Sequence, residues 1–284
     1  MTVTDSELAA LSSSYDIIKI GMLGDEARRK RHGATTTFVR VADVSADPDA
    51  PVHVPPAAGE VRIVGAPASR AAAAARVAAV IDAAGGVPVS AFALSDLEQL
   101  AGREGVTLRA LLEELRAAGL ELIAEAPFDQ LQDRRRSIEE VNIAGLGLAR
   151  LTIHQLPSAD VADLMRQVSS LQQQVAVIRT FAPLPRRINP AVPTTGYDDV
   201  RRVALARLLV ENIASIQVDW TLYGPKLAQM ALTVGADDAD AVSASDDSET
   251  GPRRAPLQEI RRNIEAAGLQ PVERDARFER KRVG

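Results

Sequence analysis

The groups in this chain that could do chemistry are few, and sulfur nucleophiles are not among them. Its 284 residues hold three histidines and no cysteine, which excludes disulfides, thiolate metal sites and cysteine nucleophiles. His32 and His53 lie between regular elements and read as solvated. His154 ends an extended run, where α/β proteins place working side chains, and is the histidine best placed to line a pocket. No His-x-His or His-x-x-x-His spacing occurs, so no zinc site is expected. Asp237, Asp238 and Asp240 could hold Mg²⁺, but exposed acids after a helix are the commoner arrangement and no phosphate-cradling loop accompanies them; no metal is assigned.

Other candidates sit within extended runs or at their ends. Arg62 and Arg179 could meet a carboxylated ligand, unless Glu125 or Asp219 takes them into a structural ion pair. Trp220 follows Asp219 directly. It could stack on a small ligand with Asp219 as its polar partner, or cap a packed layer. Arg62, Glu125, His154, Arg179, Asp219 and Trp220 form the candidate ligand-binding set, and no catalytic residue is assigned.

These residues need a frame, and the pattern of the chain supplies one. Short β-rich runs such as Thr36–Val41, Glu60–Val64, Val87–Phe92 and Leu120–Ala124 alternate with helical stretches. One helix follows Ser69 and closes at Gly85-Gly86; another runs from Thr107 to Gly119. Further strands are read at Leu148–Ile153, Val175–Phe181 and Ile213–Trp220, with a weak one at Asp240–Ser243. Strands separated by helices at this spacing are parallel βαβ units. No Gly-x-Gly-x-x-Gly follows the first strand, which removes the main support for a dinucleotide-binding sheet. The expected architecture is an α/β fold, a TIM-like (β/α) barrel, complete or partial, with an N-terminal helix and a C-terminal helical extension. Its expected divisions are residues 1–34, 35–245 and 246–284.

Composition agrees with a globular chain: 46% hydrophobic, 25% charged, and only 3% aromatic, so Ala, Leu, Val and Ile must build the core. The net charge of −5 argues against nucleic acid as a partner. The longest apolar stretch, Ala71–Ala84, is broken by Arg76 and Asp82 and falls short of the roughly 20 residues a membrane helix needs. No membrane association is expected, and a cytoplasmic location is the default.

At Pro193-Thr-Thr-Gly-Tyr-Asp-Asp199 the sequence takes on a family character. With Gly224-Pro-Lys-Leu-Ala-Gln229, Gly235-Ala-Asp-Asp238 and Pro271-Val-Glu-Arg-Asp275, it resembles aminofutalosine synthase and the neighbouring radical S-adenosylmethionine (SAM) enzymes of menaquinone and deazaflavin biosynthesis. The resemblance implies a TIM-like barrel and, in a full member, a cluster loop Cys-x-x-x-Cys-x-x-Cys after strand one. This chain has Val41-Ala-Asp-Val-Ser-Ala-Asp-Pro48 there. The Gly-Gly-x-His-Pro turn after strand two is replaced by Val64-Gly-Ala-Pro-Ala68, and the Gly-rich turn after strand four by Glu125-Ala-Pro-Phe-Asp129. The changes gather where barrel active sites are built. The expectation is a pseudoenzyme with no cofactor, a non-catalytic partner or intermediate-binding protein of the futalosine menaquinone pathway. Its expected partners are a cluster-bearing radical SAM homologue or a second copy, and its ligand a small carboxylated molecule. The alternative is a non-radical enzyme acting on a small carboxylated aromatic or a futalosine-type intermediate.

Overall fold

The structure, a computed structural model, describes residues 14, 16–155, 160–187, 194–245 and 256–281. Helix α1 (Ile17–His32) leads into β1 (Thr35–Ser45). Then follow β2 (Glu60–Val64), α2 (Arg70–Ala84), β3 (Val89–Ala93), α3 (Leu94–Arg103), α4 (Leu108–Ala117) and β4 (Leu122–Pro127). Helix α5 (Arg134–Ile143) precedes a broken strand, β5 (Gly147–Leu148) and β6 (Leu151–Ile153). The second half holds α6 (Val161–Val175), β7 (Thr180–Pro185), α7 (Gly196–Leu209), β8 (Ser215–Asp219), α8 (Trp220–Val234) and β9 (Asp238–Ser243). Helix α9 (Pro256–Ala266) and β10 (Gln270–Arg274) complete it.

All the strand pairings are parallel and run β1-β2-β3-β4-β6-β7-β8-β9, with β9 returning to β1. Counting β5 and β6 as one interrupted strand, the ring is a closed eight-stranded TIM-like barrel. The helices form where the caps allow. Ser69 accepts from the Ala72 N–H at the start of α2, and Thr195 with Asp198 makes a reciprocal capping box at α7, each satisfying donors that the first turn leaves open. Within α8, Gly224 takes φ 74°, and Pro225 restarts the helix where its missing N–H is harmless.

The strand read as weak is a full one. Asp238–Ser243 pairs with both β8 and β1, because its acids are neutralised inside the barrel. The C-terminal segment, expected as loop, helix and tail, supplies a further strand: β10 pairs with Thr35–Val39, while β2 takes Val41–Ser45 along β1. Ile260, Ile264 and Leu269 join the same core as the barrel.

The core divides by strand alternation. Val61, Ile63, Ala91, Ile123, Leu151, Phe181, Ile216 and Val218 are fully or almost fully buried against the helices. The other face is polar. Glu60, Arg62, Ser90, Arg150, Gln217, Asp238 and Asp240 are buried and meet one another from non-adjacent strands, which is possible only in the lumen. A TIM barrel ordinarily fills that space with branched apolar residues; here it is filled largely by ion pairs.

At the floor, Arg274 of β10 donates to both oxygens of Asp238 at 2.6 Å, and Thr37 and Gln217 donate to the same carboxylate. Phe278 lies beneath, with Arg274 at 3.8 Å and Arg179 at 4.2 Å from its ring centre, distances at which guanidinium and ring attract. Helix α1 is tied across the floor by Arg31, which donates to the Ile213 carbonyl at 2.7 Å. A Cβ on Gly24 would lie 2.0 Å from the Val234 carbonyl oxygen, so α1 approaches α8 as closely as only glycine permits.

Two stability outcomes follow. Arg274→Ala strands a buried Asp238 and is expected to lower unfolding free energy by about 3–5 kcal/mol in chemical denaturation; a loss under about 1 kcal/mol would mean the floor pair contributes little. Gly24→Ala should detach or displace α1, destabilising by about 1–3 kcal/mol, read as earlier hydrogen exchange in α1 than in the barrel strands.

Candidate functional site

At the C-terminal ends of the strands the barrel opens into a cavity of about 480 Å³, within the size range of small-molecule sites. Asp43 comes from β1, Arg62 from β2, Phe92 from β3, Glu125 from β4, and His154, Arg186 and Asp219 from the ends of β6, β7 and β8. Strand periodicity explains the set. Arg150 and His154 on one run, Glu60 and Arg62 on another, and Asp238 and Asp240 on a third are spaced by even numbers, so each run aims its charges to one side.

Beneath the cavity, Arg62 donates to Glu60 at 2.9 Å and to Asp240 at 2.7 Å. Arg150 reaches the same two carboxylates at 2.9 and 2.8 Å. Burial pushes the Glu60 carboxyl up, yet the charges of Arg62 and Arg150 outweigh it and hold its pKa at about 2. Asp240 is likewise held well below the carboxylate range: Arg150, Arg62 and Arg186 together overcome its burial. Arg186 pairs with Asp219 and reaches Asp240 at 3.4 Å and Glu125 at 3.6 Å.

One wall carries an imidazole–carboxylate pair. His154 Nε2 lies 2.8 Å from Glu125 Oε1. Burial raises the Glu125 carboxyl, but the His154 hydrogen bond and the Arg186 charge bring it down to about 2. Asp129 fixes the backbone behind the ring, accepting from the His154 N–H at 2.7 Å and the Gln155 N–H at 2.8 Å. Two further carboxyls behave oppositely: burial raises Asp43 and Asp96 above their ordinary values.

Of the residues singled out by sequence, Arg62, Glu125, His154 and Asp219 line this one cavity. Arg179 does not join them; it lies at the opposite end of the barrel, stacked on Phe278. Trp220 is 5% exposed and sits in the core at the start of α8, outside the cavity lining. Arg62 does find structural partners, but they are Glu60 and Asp240. His32 is not simply solvated: it contacts the Ala214 carbonyl at 3.1 Å and lies beside Asp237. The acids at 237, 238 and 240 are buried, not exposed, and each receives an arginine: Arg207, Arg274 and Arg62 with Arg150. Among the described residues no group of three or more His, Cys, Asp or Glu side chains could hold a metal ion. Asn189, whose sequence reads as part of a turn, and Asp246-Asp247, which read as an acidic loop, lie outside the described residues.

Glu60, Arg150 and Arg186 escaped sequence reading. The signal was there in the alternation of charge along strands that must all be buried, Glu60-x-Arg62 and Arg150-x-x-x-His154.

The donor set also bears on an iron–sulfur cluster. The β1–β2 connection, residues 46–59, is pinned by Arg76, which donates to the carbonyls of Ser45 at 2.8 Å and Ala50 at 3.0 Å. Neither that connection nor the cavity offers a thiolate, so a cluster held by three cysteines does not fit this barrel.

Residues 180–284 match the family described as the CofH/MqnC C-terminal region. The chain is 27% identical over 229 residues to the aminodeoxyfutalosine synthase of Thermus thermophilus, covering 70% of this chain and 62% of that one. It is 27% identical to the 5-amino-6-(D-ribitylamino)uracil–L-tyrosine 4-hydroxyphenyl transferase of Archaeoglobus fulgidus, over 68% of this chain and 64% of the relative. With the cyclic dehypoxanthine futalosine synthase of Streptomyces coelicolor it shares 25% identity, over 65% and 53% respectively. The matches thus span less than two thirds of these relatives. Methylornithine synthase shares the fold, with a TM-score of 0.66 at 13% identity over 95% of this chain and 94% of that one. The maturase HydG does so with a TM-score of 0.63 at 12% identity, over 95% and 72%. Through residues 180–284 the chain is thus similar to the CofH/MqnC C-terminal region, and its barrel is of the kind seen in methylornithine synthase and HydG.

Proposed function

We propose that this chain is a cluster-free binding protein of the futalosine pathway, which holds a small molecule in the barrel mouth without radical chemistry. The observation that carries the reading is the mouth itself. A cavity of about 480 Å³ persists above the ion pairs, so the loss of sulfur donors has not been accompanied by closure of the site. The charged network beneath makes a rigid floor for it, since each charge there depends on its neighbours to stay buried. A role beside a cluster-bearing homologue is a variant of the same reading. Ile18, Met22 and Met230 are exposed along an apolar groove between α1, α7 and α8, a surface of the kind that partners cover.

A second reading, an acid–base enzyme, draws on the 2.8 Å pair between His154 and Glu125. An imidazole oriented by a carboxylate at the wall of a pocket is the arrangement used for proton transfer. Under this reading His154 moves the proton and Glu125 holds the ring in place.

Anaerobic incubation with iron and sulfide is expected to leave the protein colourless after desalting, with no SAM cleavage; a stable charge-transfer band near the visible region would overturn the cluster-free reading. Co-purification with a cluster-bearing homologue would support the helper variant, whereas turnover by the isolated chain that is lost in His154→Gln would favour the enzyme.

The Glu125 pair makes a pH prediction with a defined sign. Its folded pKa of about 2 lies below the ordinary 4.5, so its contribution is complete above pH 4.5 and drains away as the pH falls through 2. The contribution is on the order of 3 kcal/mol. Urea titrations from pH 6 to pH 2 should show a smaller acid-side loss in His154→Leu than in the parent chain, and identical profiles would count against the pair.

A further inference from the structure

One face of the barrel leaves several apolar side chains uncovered together. Ile18 and Met22 of α1 and Met230 of α8 are 73%, 69% and 52% exposed, and Tyr197 of α7 is 37% exposed. All four line one groove of about 750 Å³ between the three helices. The other exposed large apolar side chains among the described residues are Val64 and Leu222, at the mouth, and Ile143 on α5. Apolar residues scattered singly mean little, but a contiguous set marks a surface that something covers.

The chain itself holds an occupant of the right place, length and charge. Residues 1–13 lie outside the described residues and join α1 at the end of the groove that Ile17 and Ile18 line. The helical path stops at Asp16, whose ψ is 82°. Asp16 caps α1 by accepting from the Lys19 N–H at 3.0 Å and donates its own N–H to Ser14 Oγ at 3.0 Å. A chain that enters a helix through such a turn can lie beside that helix, and the run Ser12-Ser13-Ser14 suits the turn. The groove follows α1 from Ile17 to Asp25, about 12 Å of helix, and a helical stretch over residues 7–13 would cover about 10 Å.

Within the segment, Leu8 and Leu11 stand three apart, so one helical turn presents both on the same face. Its charged side chains are Asp5 and Glu7, with no lysine or arginine. The groove's own charges are Asp25 and Lys226. Asp25 is taken by Arg28 and Arg29, whereas Lys226 has no ion-pair or hydrogen-bond partner among the described residues. The uncompensated charge is therefore positive, opposite to that of the segment. A second copy fits less well. A concave groove needs an apolar ridge, and beyond the groove the described surface offers only Val64, Leu222 and Ile143.

We infer that residues 1–13 fold back into this groove, with Leu8 and Leu11 against Met22 and Met230 and the acids Asp5 and Glu7 beside Lys226. The apolar contacts hold the segment and the charges set its direction, since an exposed pair alone holds little. A partner protein meets this face only by displacing the segment, and the binding role of the mouth is independent of it. The experiment is peroxide footprinting of the full chain, read by peptide mass spectrometry. Hydrogen peroxide passes one oxygen to the methionine sulfur, giving the sulfoxide and water, at a rate that follows access. Met22 and Met230 are expected to oxidise about tenfold more slowly in the parent chain than in Leu8→Asp/Leu11→Asp. Met165, fully buried, should be slow in both and reports that the barrel is intact. Lys226→Glu should also speed both exposed sites, and adding Glu7→Lys should slow them again. Equal rates in the parent and the leucine variant would overturn the assignment; if both are slow and the mass doubles in sedimentation, the occupant is a second copy. Neither outcome touches the reading of the mouth.

Discussion

Glu60 and Asp240 share Arg62 and Arg150 in the middle of the barrel, and almost every other feature of the molecule is arranged around that exchange. Four charges this far from water are tolerable only together, because each alone would carry a desolvation penalty of several kcal/mol. They come from β2, from the break just before β6, and from β9. Shifting any of these strands by one residue would turn its charge outward into the apolar layer under the helices. The exchange therefore ties strand register to electrostatics, where an apolar lumen would tie it only to volume.

The same chemistry is repeated above and below with different results. At the floor, Asp238 and Asp237 are saturated by Arg274, Arg207 and neighbouring hydroxyl and amide donors, and Phe278 seals the end. At the mouth, saturation is incomplete: Arg186 and the His154–Glu125 pair form a partial lid over the network, and Asp43 and Asp96 face open space. A buried polar network completed at one end and left open at the other has a direction. The open end coincides with the C-terminal ends of the strands, where barrels carry their sites.

The helix and strand alternation was legible because it rests on local chemistry. Ser69, Thr107 and Gly85 act as caps in the structure as their types imply, and four of the six candidate residues meet in one cavity. What could not be read was long-range. Asp240 looked like an exposed acid because its neutralising arginines lie 178 and 90 residues away. Arg179 reads as near the C-terminal end of a strand at Val175–Phe181, but β7 begins one residue after it, at Thr180, so Arg179 enters at the floor and not at the mouth. Strand β10 was invisible as a strand because its five residues, with a proline and two charged side chains, are shaped by the edge they fill and not by their own propensity.

That edge has a consequence for how the chain is made. The lower half of β1 pairs with β10, and Arg40 meets Glu273 across a separation of 233 residues. A ribosome will have released nearly all of the barrel before the segment that plugs its base leaves the exit tunnel. Until then the newborn first strand keeps bare amides along one margin, and Asp238 has not yet met its arginine. Closure of the barrel base thus comes late in the emergence of these residues, with a window in which that margin is not yet shielded by the finished ring.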